Sequence, residues 1–174
     1  DMWLWLLFGV VMFGGFMAFT GAPYVPSRRR DLAQAFTELY KLSSVDTLVD
    51  IGSGDGVVLR TAARYGARAV GDEINPALAL IARWLSRHDR LVNVQIANFW
   101  RQKLPDETTV VYTFGDGRDI EKMYQLVLRE ATRLQRELVF ISYGFAVPNV
   151  KSARSAGAYF LYRAKPLQAD SVSV

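Results

Sequence analysis

Val45-Asp46-Thr47-Leu48-Val49-Asp50-Ile51-Gly52-Ser53-Gly54-Asp55-Gly56 reads as a short buried strand that ends in a carboxylate and runs straight into a glycine-rich turn. A second strand-like run, Ala67-Arg68-Ala69-Val70-Gly71-Asp72-Glu73, ends in another acidic residue seventeen positions after Gly56. Strand, glycine turn, helix, strand and terminal acid form the opening unit of a nucleotide-cofactor domain, whose ligand lies at the carboxyl edge of a parallel sheet.

Working outward, hydrophobic periodicity predicts an alternating α/β chain. A helix capped by Ser27 or Asp31 runs to about Leu42, with Leu32, Ala35, Phe36, Leu39 and Tyr40 on one face. Strands are expected over 47–51, 68–73, 92–97, 109–114 and 137–143, with helices over 57–65, 77–86 and 120–134 between them. The helix opened by Pro76 should bury Leu78, Ile81, Ala82 and Leu85. Such alternation implies a mostly parallel, Rossmann-like sheet with helices on both faces. The run at 158–163 follows no long helix and is expected as an antiparallel edge strand, and residues 167–174 as a loose tail.

Residues 2–22 carry no charge and form an apolar stretch of the length a bilayer-spanning helix needs. Trp3 and Trp5 sit at one end and Arg28-Arg29-Arg30 follow the other. The positive-inside rule then places the domain on the cytoplasmic or matrix side of a single-pass anchor. A signal peptide would carry its charges before the apolar run, and an interfacial helix would have a polar face. The expected division is an anchor at 2–22, a linker at 23–30 containing Pro23 and Pro26, a catalytic-sized domain at 31–166, and the tail.

With 174 residues, 51% of them hydrophobic and 22% charged, a packed core is feasible. The absence of cysteine excludes disulfides, cysteine nucleophiles and thiolate metal sites, and the lone His88 excludes a multi-histidine metal centre within one chain. No metal site is expected. The net charge of +4 is compatible with nucleic acid, an anionic membrane or an acidic partner. His88, between Arg87 and Asp89, reads as a solvated surface residue, and the arginine triplet as a topology signal rather than a nucleic-acid patch.

The turn does not suit a pyrophosphate. Its glycine spacing misses the dinucleotide pattern, and Asp50 and Asp55 place negative charge beside and inside it. A ligand carrying ammonium and sulfonium charges fits better. Glu73, at the tip of the second strand, can accept both hydroxyls of a ribose, while alternation turns Asp72 to the opposite face. Ile74 would pack on an adenine ring, Asn98 offers its amide, and Phe99 and Trp100 offer a rim or are simply core or surface aromatics.

Val49-Asp50-Ile51-Gly52-Ser53-Gly54-Asp55-Gly56, followed by Gly71-Asp72-Glu73-Ile74-Asn75-Pro76, resembles the seven-β-strand, class I S-adenosylmethionine methyltransferases. With the apolar segment and Pro23-Tyr24-Val25-Pro26-Ser27, the chain is similar more narrowly to the small membrane-anchored protein-lysine methyltransferases. Eukaryotic mitochondrial members of that family modify the ATP synthase c-subunit or the adenine nucleotide translocase. The resemblance covers about residues 23–143. It implies S-adenosylmethionine as cofactor, lined by Asp50, Gly52, Ser53, Gly54 and Gly56, with Glu73 on the ribose and Tyr24 closing over it. Asn98 departs from the family, which tends to carry aspartate there, as does the strand tip Thr113-Phe114-Gly115-Asp116.

The expected substrate is a lysine in a protein, membrane proteins included, with the bilayer engaged through the N-terminal helix and no nucleic acid. Tyr24, Asp116 and Tyr143 are the candidates for contacting the nucleophile. Alternatives are a small-molecule, lipid or nucleic-acid substrate, or a catalytically silent membrane-tethered scaffold of the same fold.

Overall fold

The structure is a computed structural model that describes residues 2–5, 7–9 and 29–167. Tyr24, the linker up to residue 28, residues 6 and 10–22 of the predicted span and residues 168–174 of the expected tail lie outside the described residues. Residues 2–5 and 7–9 are helical and exposed. Among the described residues no helix is long and apolar enough to cross a membrane.

Helix α1 spans Arg29–Gln34 and continues through a π-helical turn, Ala35–Leu39. The expected helix to Leu42 thus ends earlier, where Tyr40 turns extended and donates its backbone N–H to Ala35 O. Next come β1 (Thr47–Ile51), α2 (Val57–Arg64), β2 (Arg68–Glu73), α3 (Pro76–Leu85) and β3 (Val92–Ile96). A 3-10 turn at Phe99–Arg101 stands where a helix would normally cross to β4 (Val110–Phe114). Helix α4 (Ile120–Leu134), β5 (Leu138–Tyr143), β6 (Arg154–Ala156) and β7 (Tyr159–Ala164) complete the order.

The seven strands form one sheet in the order β3-β2-β1-β4-β5-β7-β6. The first five pair in parallel, and β7 runs antiparallel between β5 and β6. This corrects the expected edge. The 158–163 run is interior, and the edge is the short β6, whose three residues are too few to show a periodicity.

Alternation along the strands divides the core between two faces. Leu48 and Tyr112 meet Leu32, Phe36, Leu59 and Ala82 of α1, α2 and α3 on one side. Val49, Ile51, Val111 and Phe140 meet Met123 and Val127 of α4 on the other.

Helix α3 departs from its predicted face. It buries Ala79 and Ala82, while Leu80, Ile81, Trp84 and Leu85 are exposed. Apolar residues occur around most of its circumference, so periodicity alone does not select a side. The small side chains win because they let the helix pack closely on the glycine turn: a Cβ on Gly56 would lie 3.2 Å from the Ala82 Cβ.

Candidate cofactor and active site

The strand order reverses at β1, with β2 on one side and β4 on the other. An open α/β sheet binds its ligand at such a switch point, beyond the carboxyl ends of the strands. Asp50, next to last in β1, is 2% exposed there and lies in register with Gly71 of β2 and Tyr112 of β4.

The glycine turn folds back over the end of β2. Gly52 and Ser53 donate their N–H groups to Asp72 O at 2.9 and 3.2 Å, and Gly56 N–H donates to Ser53 O at 2.8 Å. Gly52, Gly54 and Gly56 hold φ of +76°, +53° and +79°, a backbone region that side chains with a Cβ rarely adopt. Gly71 is required for a different reason. A Cβ there would come within 2.5 Å of both Ser53 Oγ and Leu59 Cδ1, so the turn can seat on β2 only because that position is bare. A glycine inside a strand signals such an approach, and this was the available cue for a residue that motif spacing passed over.

Glu73 is buried and held at both oxygens. Gly54 N–H donates to Oε2 and Asn75 N–H to Oε1, each at 2.8 Å. Each carboxylate oxygen has a second acceptor direction, so two ribose hydroxyls can still be received by a carboxylate already locked in place. Asn75 contributes further by capping α3, its Oδ1 accepting from Ala77 N–H at 3.0 Å.

Negative charge is concentrated at this edge. Burial pushes the Asp50 carboxyl well above the usual carboxylate range, reinforced by the neighbouring charges of Glu73, Asp55 and Asp72. Burial likewise raises Asp72. Among the described residues none of Asp50, Asp72 and Glu73 enters an ion pair. A cluster of buried carboxylates without a cation is costly unless a positive ligand arrives. The donor set therefore fits the ammonium and sulfonium of S-adenosylmethionine and repels a pyrophosphate. Asp72, set aside on alternation, is buried as well and adds to this field. Asp55 differs from expectation: its Oδ1 caps α2 at Val57 N–H, 3.0 Å away, and Arg60 lies 3.7 Å from its Oδ2, so part of its charge is answered within the protein.

The residues expected to meet an adenine are partly assembled. Ile74 is 58% exposed next to Glu73, an apolar side chain awaiting cover. Asn98 Oδ1 accepts from Trp100 N–H at 3.1 Å, which starts the 3-10 turn and leaves the amide NH2 as the side chain's donor. Phe99 packs against the α4-side core and stacks on Trp100 at 4.4 Å, so it is at least as much core as rim.

Of the residues expected to contact a nucleophile, Tyr143 ends β5 and packs its ring 5.1 Å from Phe114 and 4.7 Å from Tyr159. Asp116 follows β4, but Arg118 holds its carboxylate through a 2.7 Å ion pair and a backbone N–H bond. The Arg118 hydrogen bonds keep Asp116 below the usual carboxylate range, which makes it a poor proton acceptor.

The sequence model of the ANTKMT methyltransferase domain matches residues 50–154, beginning at the buried carboxylate of β1. The chain belongs to this family. The ANTKMT-type domain thus places the chain in a family of class I, S-adenosylmethionine-dependent methyltransferases. It is 30% identical over 133 residues to the ATP synthase c-subunit lysine N-methyltransferase of Xenopus laevis, covering 73% of this chain and 55% of that one. The human protein of the same name is 30% identical over 119 residues, covering 67% and 47%. The chain thus spans about half the length of the curated relatives it matches. In structure, the ANTKMT-type domain is similar to an RNA methyltransferase from Salinibacter ruber in complex with S-adenosyl-L-homocysteine. The TM-score is 0.73 at 23% identity, over 86% of this chain and all of that one, a likeness of fold.

Proposed function

We propose that this protein transfers the methyl group of S-adenosylmethionine to the side-chain nitrogen of a lysine in a protein. The supporting observation is the buried carboxylate cluster at the switch point, where Asp50 opens the stretch matched to a methyltransferase family. The lysine specificity draws on the relatives named as lysine N-methyltransferases of the ATP synthase c-subunit. The same reading takes residues 2–22 as a membrane anchor and a membrane protein as the substrate.

In this reading Asp50 and Glu73 bind the cofactor's charged and ribose ends, and the glycine turn admits its backbone-close portion. Methyl transfer is an in-line displacement at a sulfonium, so alignment and exclusion of water supply most of the acceleration. The incoming lysine must be neutral. Phe114 and Tyr143 offer an aromatic wall that holds an alkyl chain and, before deprotonation, its ammonium. Tyr24 would close over the cofactor. Asp116, engaged by Arg118, acts as a positioning residue rather than a base.

Membranes from cells lacking this gene product, incubated with the full chain and methyl-labelled S-adenosylmethionine, provide the test. Label in a membrane protein, recovered as methyl-lysine after acid hydrolysis, is the expected result. Label in lipid, nucleic acid or a small molecule would replace the substrate, and a folded protein that does not bind the cofactor would point to a silent scaffold.

A further inference from the structure

We propose that the outer face of α3 is a docking surface for an anionic lipid bilayer. Leu80 and Trp84 are 57% and 63% exposed, and Ile81 and Leu85 stand exposed beside them. Arg83, Arg87 and Arg90 lie on the same helix and the turn that follows, and none of the three enters an ion pair among the described residues. Asp89 is the single acid between residues 76 and 91, and its Oδ1 is occupied by the Leu91 N–H. The Arg87 guanidinium sits over the Trp84 ring at 4.7 Å, pairing an interfacial aromatic with a cation. Apolar side chains flanked by arginines with a tryptophan between them match the boundary between acyl chains and anionic headgroups.

A cavity of about 280 Å³ opens where α3 meets β3, lined by Arg83, Ser86, Arg87, Asp89 and Asn93 among others. It lies at the charged end of the apolar strip and has room for a headgroup phosphate.

Charge argues against the other occupants. A second copy meeting this one through the same face would bring only Asp89 to answer its three arginines. The uncharged stretch at residues 2–22 has no acid to answer the three arginines. An anionic bilayer answers both the apolar strip and its basic flank.

The chain has no cysteine, so a single introduced thiol can report on one surface. The full chain carrying Ile81→Cys, labelled with a polarity-sensitive fluorophore, is mixed with phosphatidylcholine vesicles with or without phosphatidylglycerol. Gln125→Cys, exposed on α4 across the sheet, is the matched control. Blue-shifted, brighter emission at position 81 alone, and only with phosphatidylglycerol, is expected. Arg83→Gln and Arg87→Gln should each weaken that response roughly fivefold. An unchanged probe at position 81 while the protein sediments with vesicles would overturn the proposal, because attachment would then lie elsewhere. An equal response to pure phosphatidylcholine would also overturn it, as would a response to protein concentration without lipid. Methyl transfer is not read, so this outcome is separate from that of the substrate assignment.

Discussion

Asp50 is where folding and ligand binding oppose each other. Its raised carboxyl keeps its proton in the ligand-free fold over a pH window in which the unfolded chain, above about pH 4, has already released it. The native state therefore binds the extra proton, and stability falls as pH rises from the unfolded carboxylate value through the folded one. A cationic cofactor favours the carboxylate and should bind more tightly as pH rises through the same window. Asp50→Asn removes the buried charge at nearly constant volume. The ligand-free variant should melt higher than the parent at pH 7 to 8 and lose part of the pH dependence. Its affinity for S-adenosylmethionine should drop about 10- to 100-fold, the worth of a charged hydrogen bond. Thermal melts across pH and calorimetric titration read both effects, and a variant that loses stability and keeps affinity would contradict this role. Gly71→Ala acts one layer below. With 2.5 Å separations to Ser53 Oγ and Leu59 Cδ1, the methyl must displace the glycine turn or the α2 core. A loss of about 1 to 3 kcal/mol in urea unfolding is expected, accompanied by weaker cofactor binding. Unchanged binding with lowered stability would mean that only Leu59 moved.

Helix ends show how sequence translates into elements. Gln135 terminates α4 at φ +53°, where its N–H returns to the helix carbonyls of Ala131 and Thr132. Glycine meets that left-handed conformation without a Cβ penalty, so Gln135→Gly should raise unfolding stability by about 0.5 to 1 kcal/mol. A fall would show that the Gln135 side-chain bond to Thr132 O, at 2.6 Å, outweighs backbone strain. The strands and helices themselves were legible wherever the pattern had one period and clear breakers. Helix α4 spans Ile120–Leu134, and β1 and β2 end on Ile51 and Glu73, as apolar patterning and glycine predict. The inward face of α3 was not legible, because alanine buries well and carries little hydrophobic signal. In the candidate site, the placement of Asp50, Glu73 and the glycines at the strand ends and turn was legible from spacing. Asp72, Asn75 and the Asp116–Arg118 pair could not, since their roles come from burial and hydrogen bonds across elements.

At the scale of the whole molecule, Arg154 adds a polar clasp between the C-terminal hairpin and the N-terminal side of the domain. Arg154 opens β6 and donates from Nη1 to Leu39 O at 2.9 Å and from Nη2 to Glu38 O at 2.7 Å. Those carbonyls belong to the π-helical turn that ends α1, where unsatisfied acceptors and the helix dipole both favour a cation. Phe36 and Leu39 of the same turn are buried in the core that contains Tyr159 and Leu161 of β7, so the arginine fork seals an apolar contact already in place. Arg154 is solvent-exposed, which limits its contribution. Arg154→Ala should cost about 1 kcal/mol globally. The local effect should be larger than the global one. Amides of residues 35–42 should exchange hydrogen markedly faster in the variant, while those of α4, packed on the opposite face, follow only the small global change. Arg154→Lys restores charge without the two-pronged geometry and should recover part of the protection. Equal exchange at residues 35–42 in all three proteins would show that apolar packing alone holds the turn, with the arginine contributing nothing to it.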